Sequence, residues 1–212
     1  MSCAMSVDGY IDDTTSERLR LSDEEDFDRV DQVRAESDAI LIGATTLRRD
    51  NPRMIVKSPR RQAERETRGL PACPLKVVVT ASGDISPDLR FFHSAGDRLI
   101  YCPETVAPKL RDRIGDLAEV ASAGASLDFG AMVDDLGERG VRQLMVEGGT
   151  TIHTQFLTAD LADEIHLAVA PFFVGDADAP RFVLPGKFPH GNSRRMSLLL
   201  CYLPTKPAAA AN

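Results

Sequence analysis

Val141-Arg-Gln-Leu-Met-Val-Glu-Gly-Gly-Thr150 is the segment from which the architecture can be read. Arg142 to Val146 is a short β-prone run and Glu147-Gly148-Gly149 is a tight turn. From Thr150 the apolar residues Ile152, Phe156, Leu157 and Leu161 recur at helical spacing, so strand, glycine turn and helix follow one another. Adjacent glycines let the backbone turn sharply and come close to a ligand. The amides that open the helix, together with its dipole, favour an anion such as a pyrophosphate. Glu147 stands where the strand ends, the edge at which open α/β sheets bind ligands. On these residues alone, a Gly-Gly pair also serves as a plain strand-to-helix connection.

The same order recurs upstream. Asp38-Ala-Ile-Leu-Ile-Gly43 is a continuous apolar run, the pattern of a central parallel strand covered on both faces. It leads into Ala44 to Arg53, where Thr45 and Thr46 offer hydroxyls and amides to a ligand, and Asp50-Asn51-Pro52 reads as a helix stop. Leu75 to Thr80 is another strand, ending in Thr80-Ala-Ser82-Gly83, whose hydroxyls suit a phosphate oxygen. Short strands are expected at Leu99–Cys102 and Glu119–Ala121, with helices at about Pro103–Leu117 and Leu127–Arg139. Near the start, a first strand should end at Ser6 before a loop at Asp8-Gly9, where Asp8 is either a turn residue or part of a cavity rim. Ser22 and Glu25 form a capping box for a helix whose buried stripe would be Phe27, Val30 and Val33. Arg60 to Arg68 reads as a surface loop or short helix. Asp163 to Ala170 partly alternates, and Arg195 to Leu203 supplies a last strand. The alternation predicts an α/β protein with a largely parallel sheet, helices on both faces and antiparallel strands at the C-terminal edge.

Composition narrows the function. At 212 residues and 43% hydrophobic the chain can bury one good core. A single domain over 1–204 with a loose tail at 205–212 is expected, since no linker composition interrupts it. A net charge of −7 argues against general nucleic-acid or anionic-membrane binding. The four cysteines form no C-x-x-C pair and the four histidines are dispersed, so neither a disulfide framework nor a metal site is expected. No signal peptide or membrane-length apolar run is visible, which points to a cytoplasmic protein. G-x-G-x-x-G, P-loop, G-x-S-x-G and H-E-x-x-H motifs are absent. Redox chemistry on a bound cofactor therefore fits better than hydrolysis.

Taken together, Ser6-Val-Asp8-Gly9, Val33 to Thr46 with Asp50-Asn51-Pro52-Arg53, Val146 to Gly149, Leu161 to Glu164 and Ala170 to Gly175 resemble a known family. It is the reductase domain of riboflavin biosynthesis, the NADPH-dependent 5-amino-6-(5-phosphoribosylamino)uracil reductases, similar in fold to dihydrofolate reductase. The resemblance implies a three-layer fold, a homodimer, NADPH as cofactor and reduction of a ribosyl to a ribityl group. It would place the cofactor pyrophosphate at Gly148, Gly149 and Thr150, its nicotinamide end near Thr45 and Thr46, and its adenosine 2′-phosphate near Ser82, with Thr80 on the same turn. Asp50 and Glu147 would face the substrate, binding its polar groups or assisting proton delivery; Asp8, Arg53 and Lys57 would complete the substrate site.

The sequence departs from that family in three ways. The H-x-E and P-C-x-x-C pattern of the linked zinc deaminase is missing. A lysine often found ahead of the Ser-x-Asp-Gly turn is replaced by Ser2-Cys3-Ala4. The arginine expected to bind the substrate phosphate gives way to Lys57, with Arg53 nearby; lysine binds phosphate as a point charge, without arginine's fork. Two other readings stay open: a related NADPH reductase of a pterin, dihydrofolate or a specialised-metabolite heterocycle, and a dinucleotide-binding protein without chemistry.

Overall fold

The computed structural model describes residues 1–197, so the part of the expected last strand from 198 on, and the expected tail, lie outside the described residues. Five strands form one all-parallel sheet in the order β5-β4-β3-β2-β6. They are β2 (Ala39–Gly43), β3 (Leu75–Val79), β4 (Arg98–Cys102), β5 (Glu119–Ser122) and β6 (Leu144–Gly148). β2 is buried at every position and paired on both sides, as its unbroken apolar run requires. A second, two-stranded sheet pairs β1 (Ser2–Ser6) with β7 (His166–Ala170), and β1 lies against β6. β7 runs parallel to β1, in contrast to the antiparallel C-terminal edge expected. Among the described residues, antiparallel pairing outside the named strands is confined to the Tyr10–Arg181 bridge, and 195–197 take no strand conformation.

Side-chain alternation along the strands builds a core on each face of the sheet. On one face Ile40, Ile42, Val78 and Ile100 pack against Leu47 of α2 (Ala44–Asp50) and against Leu110 and Ile114 of α4 (Ala107–Ile114). On the other, Leu41, Val77, Val79 and Leu99 meet Met132 and Leu136 of α5 (Phe129–Glu138) and Ile152 and Phe156 of α6 (Thr150–Thr158). Three layers result, as the alternation of elements implied.

Two local expectations are corrected. α1 (Glu24–Glu36) is capped by Asp23, whose side chain accepts from the amide of Asp26, so the cap falls one residue after Ser22. Its buried positions are Asp31 and Ala35, while Phe27 is exposed and Val30 and Val33 are half-buried. The reason is a buried polar cluster. Arg61 donates to Asp28 at 2.8 Å and to Asp31 at 3.0 Å, and Asp31 also accepts from the amides of Lys57 and Ser58. A carboxylate so fully partnered can be buried, and it turns α1 away from its apolar stripe. The charged segment 60–68 belongs to α3 (Pro59–Thr67), capped by Ser58 and packed on α1 through Arg61 and Arg65. Arg65 is buried because its guanidinium caps the carbonyls of Ala35, Ser37 and Pro71.

Candidate active site

A cleft of about 830 Å³ opens at the carboxyl ends of β2, β3 and β6, roofed by the loop that follows β1. On its floor the turn from β6 enters α6. Gly149 caps that helix with no side-chain hydrogen bond, leaving the first-turn amides toward the cleft. A Cβ on Gly149 would stand 3.0 Å from the Thr46 hydroxyl, so a larger residue would have to displace that hydroxyl by a few tenths of an ångström. Gly148 is less accessible: it has φ +107° and a Cβ there would meet the His153 ring at 2.7 Å. From Gly149 on, the turn offers backbone and hydroxyl groups, and the acid ahead of it, Glu147, is paired with Arg34, so the helix start fits a diphosphate. Thr150 also lines the cleft, but its hydroxyl donates to the Arg181 carbonyl, so its amide is the group left for a ligand.

Thr45, Thr46, Thr80 and Ser82 line the same cavity. The Thr80 hydroxyl accepts from the Gly83 amide and the Ser82 hydroxyl from the Asp84 amide, which fixes the second turn. Lys57 lies at the cleft, held there by the bonds from its own amide and that of Ser58 to Asp31.

The two acids of the expected chemistry differ in their surroundings. Asp50 closes α2 with its side chain 16% exposed and meets Arg18 at 3.5 Å. Burial pushes its carboxyl up from the ordinary value; Arg18 and Arg49 oppose the rise and Asp12 adds to it. Glu147 instead has both carboxylate oxygens held by Arg34, at 2.6 and 2.7 Å. Burial works against the Arg34 charge, but Glu147 outweighs it and keeps the guanidinium more basic than usual. Asp50 is the carboxyl suited to carry a proton; Glu147 orients Arg34 in the cleft.

Two expected substrate residues fall outside the cavity. Asp8 accepts from the Ser6 hydroxyl and from the amides of Val174 and Gly175, tying the first turn to the 171–175 loop. Desolvation raises its pKa, but these bonds outweigh it and hold the group at about 2. Arg53 is exposed and does not line the cleft; the left-handed turn at Asn51 and Met54 carries it away. Arg18, Arg20, Arg34 and His153 also line the cavity; Arg18 and Arg20 had no local signature, whereas Arg34 lies in the Val33–Thr46 stretch and His153 just past the glycine turn. The pairing of Arg34 with Glu147, 113 positions apart in the chain, is visible only in the fold.

A cleft at the carboxyl edge of a parallel sheet, lined by a glycine turn at a helix start and by a half-buried acid, has the form of a ligand site in an α/β enzyme. The chain belongs to the family described as RibD C-terminal domain, whose model matches residues 1–201. It is 37% identical over 182 residues to the 2,5-diamino-6-ribosylamino-4(3H)-pyrimidinone 5′-phosphate reductase of Archaeoglobus fulgidus, covering 85% of this chain and 83% of that one. Identity to the Aquifex aeolicus protein of the same name is 31%, over 84% and 79% of the two chains. Among solved structures, a pyrimidine reductase-like protein of Corynebacterium diphtheriae matches with TM-score 0.69 and 25% identity, over 85% and 77%. The Acinetobacter baumannii RibD matches at TM-score 0.72 and 18% identity, over 92% of this chain and 51% of that one. The fold is of the dihydrofolate reductase type, as the sequence resemblance implied.

Proposed function

We propose that this protein is a cytoplasmic, NADPH-dependent reductase of riboflavin biosynthesis that opens the ribosyl group of a phosphorylated pyrimidine to its ribityl form. The observation that carries the reading is the glycine turn of α6 in one cleft with Asp50, a half-buried acid whose proton affinity is raised by burial. Relatives that this chain covers over most of their length are named for the diaminopyrimidinone 5′-phosphate, which makes that compound the preferred substrate over its uracil counterpart. Gly149, Thr150 and Thr46 would hold the cofactor diphosphate, and the cofactor would supply hydride to the first ribosyl carbon. As the bond from that carbon to the ring oxygen breaks, Asp50 gives the oxygen its proton. Arg34, fixed by Glu147, faces the polar edge of the pyrimidine, and the cations at the mouth receive the phosphate. Holding the two reacting partners in place supplies much of the rate gain.

A homodimer through β7 is part of this reading. Leu167 and Val169 stand 40% and 52% exposed on one face of β7, side by side with Cys3 and Met5 of β1, and Phe173 beyond them is 72% exposed. An exposed apolar strip of this kind marks an interaction surface.

The test follows NADPH absorbance with the purified protein and, separately, the diaminopyrimidinone 5′-phosphate, its uracil counterpart and dihydrofolate. Consumption fastest with the first is expected. Turnover of dihydrofolate alone would overturn the substrate reading, and turnover of none would favour a binding protein without chemistry.

A further inference from the structure

The mouth of the cleft carries more positive charge than its carboxylates neutralise. Arg20 and Lys57 stand on Phe27, 5.5 and 5.6 Å from the ring centroid, and neither forms an ion pair among the described residues. Arg18 belongs to the same loop as Arg20, lines the same cavity, and is 69% exposed in its side chain. Its one ionic contact is with Asp50, through a single nitrogen at 3.5 Å. The charged groups around Asp50 are Arg18 and Asp12, from the loop after β1, and Arg49 of its own helix. Arg49 is not free to leave. It holds Asp12 at 2.8 Å and donates to the carbonyls of Asp13 and Thr15. Asp12 is anchored in turn by the amides of Asp13 and Leu19. Arg18 is therefore the mobile member of an otherwise braced group.

We propose that Arg18 is a positioning residue that passes from the Asp50 carboxylate to the phosphate of the incoming substrate, so that Asp50 becomes a proton donor only when a phosphorylated ligand is seated. The inference rests on the reductase reading and adds a specificity device to it. A single-nitrogen, largely exposed ion pair is weak, whereas a phosphate offers guanidinium two parallel hydrogen bonds. Arg20 and Lys57, which line the same cavity as Arg18, draw that phosphate to the mouth. With Arg18 gone, Asp50 keeps Asp12 as a like-charged neighbour and loses its one ion-pair partner among the described residues; Arg49 stays but is bound to Asp12, so the balance moves toward the protonated carboxyl. The proton taken up from solvent is the one delivered to the ring oxygen. The phosphate then acts on the chemical step as well as on binding.

The titration of Asp50 tests this without turnover. Carboxyl NMR of the wild-type protein, Arg18→Ala and Arg18→Lys is recorded against pH with and without saturating ribose 5-phosphate. In the wild type, ligand is expected to raise the Asp50 midpoint by about one pH unit, a tenfold gain in proton affinity. In Arg18→Ala the free midpoint should already be raised and the ligand-induced shift less than half of that, with Arg18→Lys between the two. In kinetics, the advantage of phosphorylated over dephosphorylated substrate in kcat should shrink about tenfold in Arg18→Ala. No shift in the wild type, or an equal shift in Arg18→Ala, would overturn the handover. A protein that shows the shifts but reduces no pyrimidine would keep the handover and overturn the reductase reading.

Discussion

Two titratable groups, Asp50 and His153, separate catalysis from stability. Asp50 must be protonated to give its proton away, so the rate should fall as pH rises through its elevated pKa. Asp50→Asn is expected to lower kcat by about 100-fold and to remove that alkaline limb, measured as kcat against pH. His153 behaves oppositely. It is fully buried, its Nδ1–H donates to the Phe182 carbonyl at 3.3 Å, and its Nε2 has no partner among the described residues. Burial lowers its pKa from 6.5 to about 4, only partly countered by the Phe182 carbonyl. The unfolded chain thus binds a proton in this window that the folded protein refuses, so stability is full above pH 6.5 and drains as pH falls toward 4. On the order of 3 kcal/mol should be lost, and urea titrations at stepped pH should show His153→Gln without that slope.

At the scale of elements, the functional unit is α6 with what braces it. The segment around 180–184 ties this helix to the first turn of the chain. The carbonyls of Arg181 and Phe182 accept from Thr150 and His153, the Leu184 amide donates to Thr154, and the Phe182 amide donates to the Gly9 carbonyl. Gly149→Asp should push Thr46 aside and set a carboxylate at the helix N-terminus, where a diphosphate is expected. NADPH affinity should fall at least about tenfold, or roughly 1.4 kcal/mol by calorimetry. Unchanged affinity would mean that the diphosphate lies elsewhere. The strand-turn-helix order at 141–158 and the apolar run of β2 were legible in the sequence, because periodicity and glycine pairs are local signals. The orientation of α1 was not, because Asp31 is buried only by virtue of Arg61 and the amides of Lys57 and Ser58.

For the whole molecule, the β7 side of the β1–β7 sheet is an apolar surface left exposed at Leu167 and Val169. Val169→Lys places a charge at the middle of that strip. By analytical ultracentrifugation the wild type should sediment as a dimer and the variant as a monomer with its fold intact; a monomeric wild type would refute this interface.

Local chemistry settled much in advance: the alternation of strands and helices, the glycine turn, and the acids and hydroxyls that end the strands all follow from neighbours a few residues apart. The partition of roles came from folding. Asp50 and Glu147 look alike in the chain, and they diverge because one is buried beside a loosely held Arg18 while the other is clasped by Arg34 from a distant helix. Asp8 and Arg53 sit in the expected motifs, yet a backbone tie and a left-handed turn set them outside the cleft. A carboxylate's task depends on its solvent exposure and its counter-ions, and both are fixed only by contacts between residues far apart in sequence.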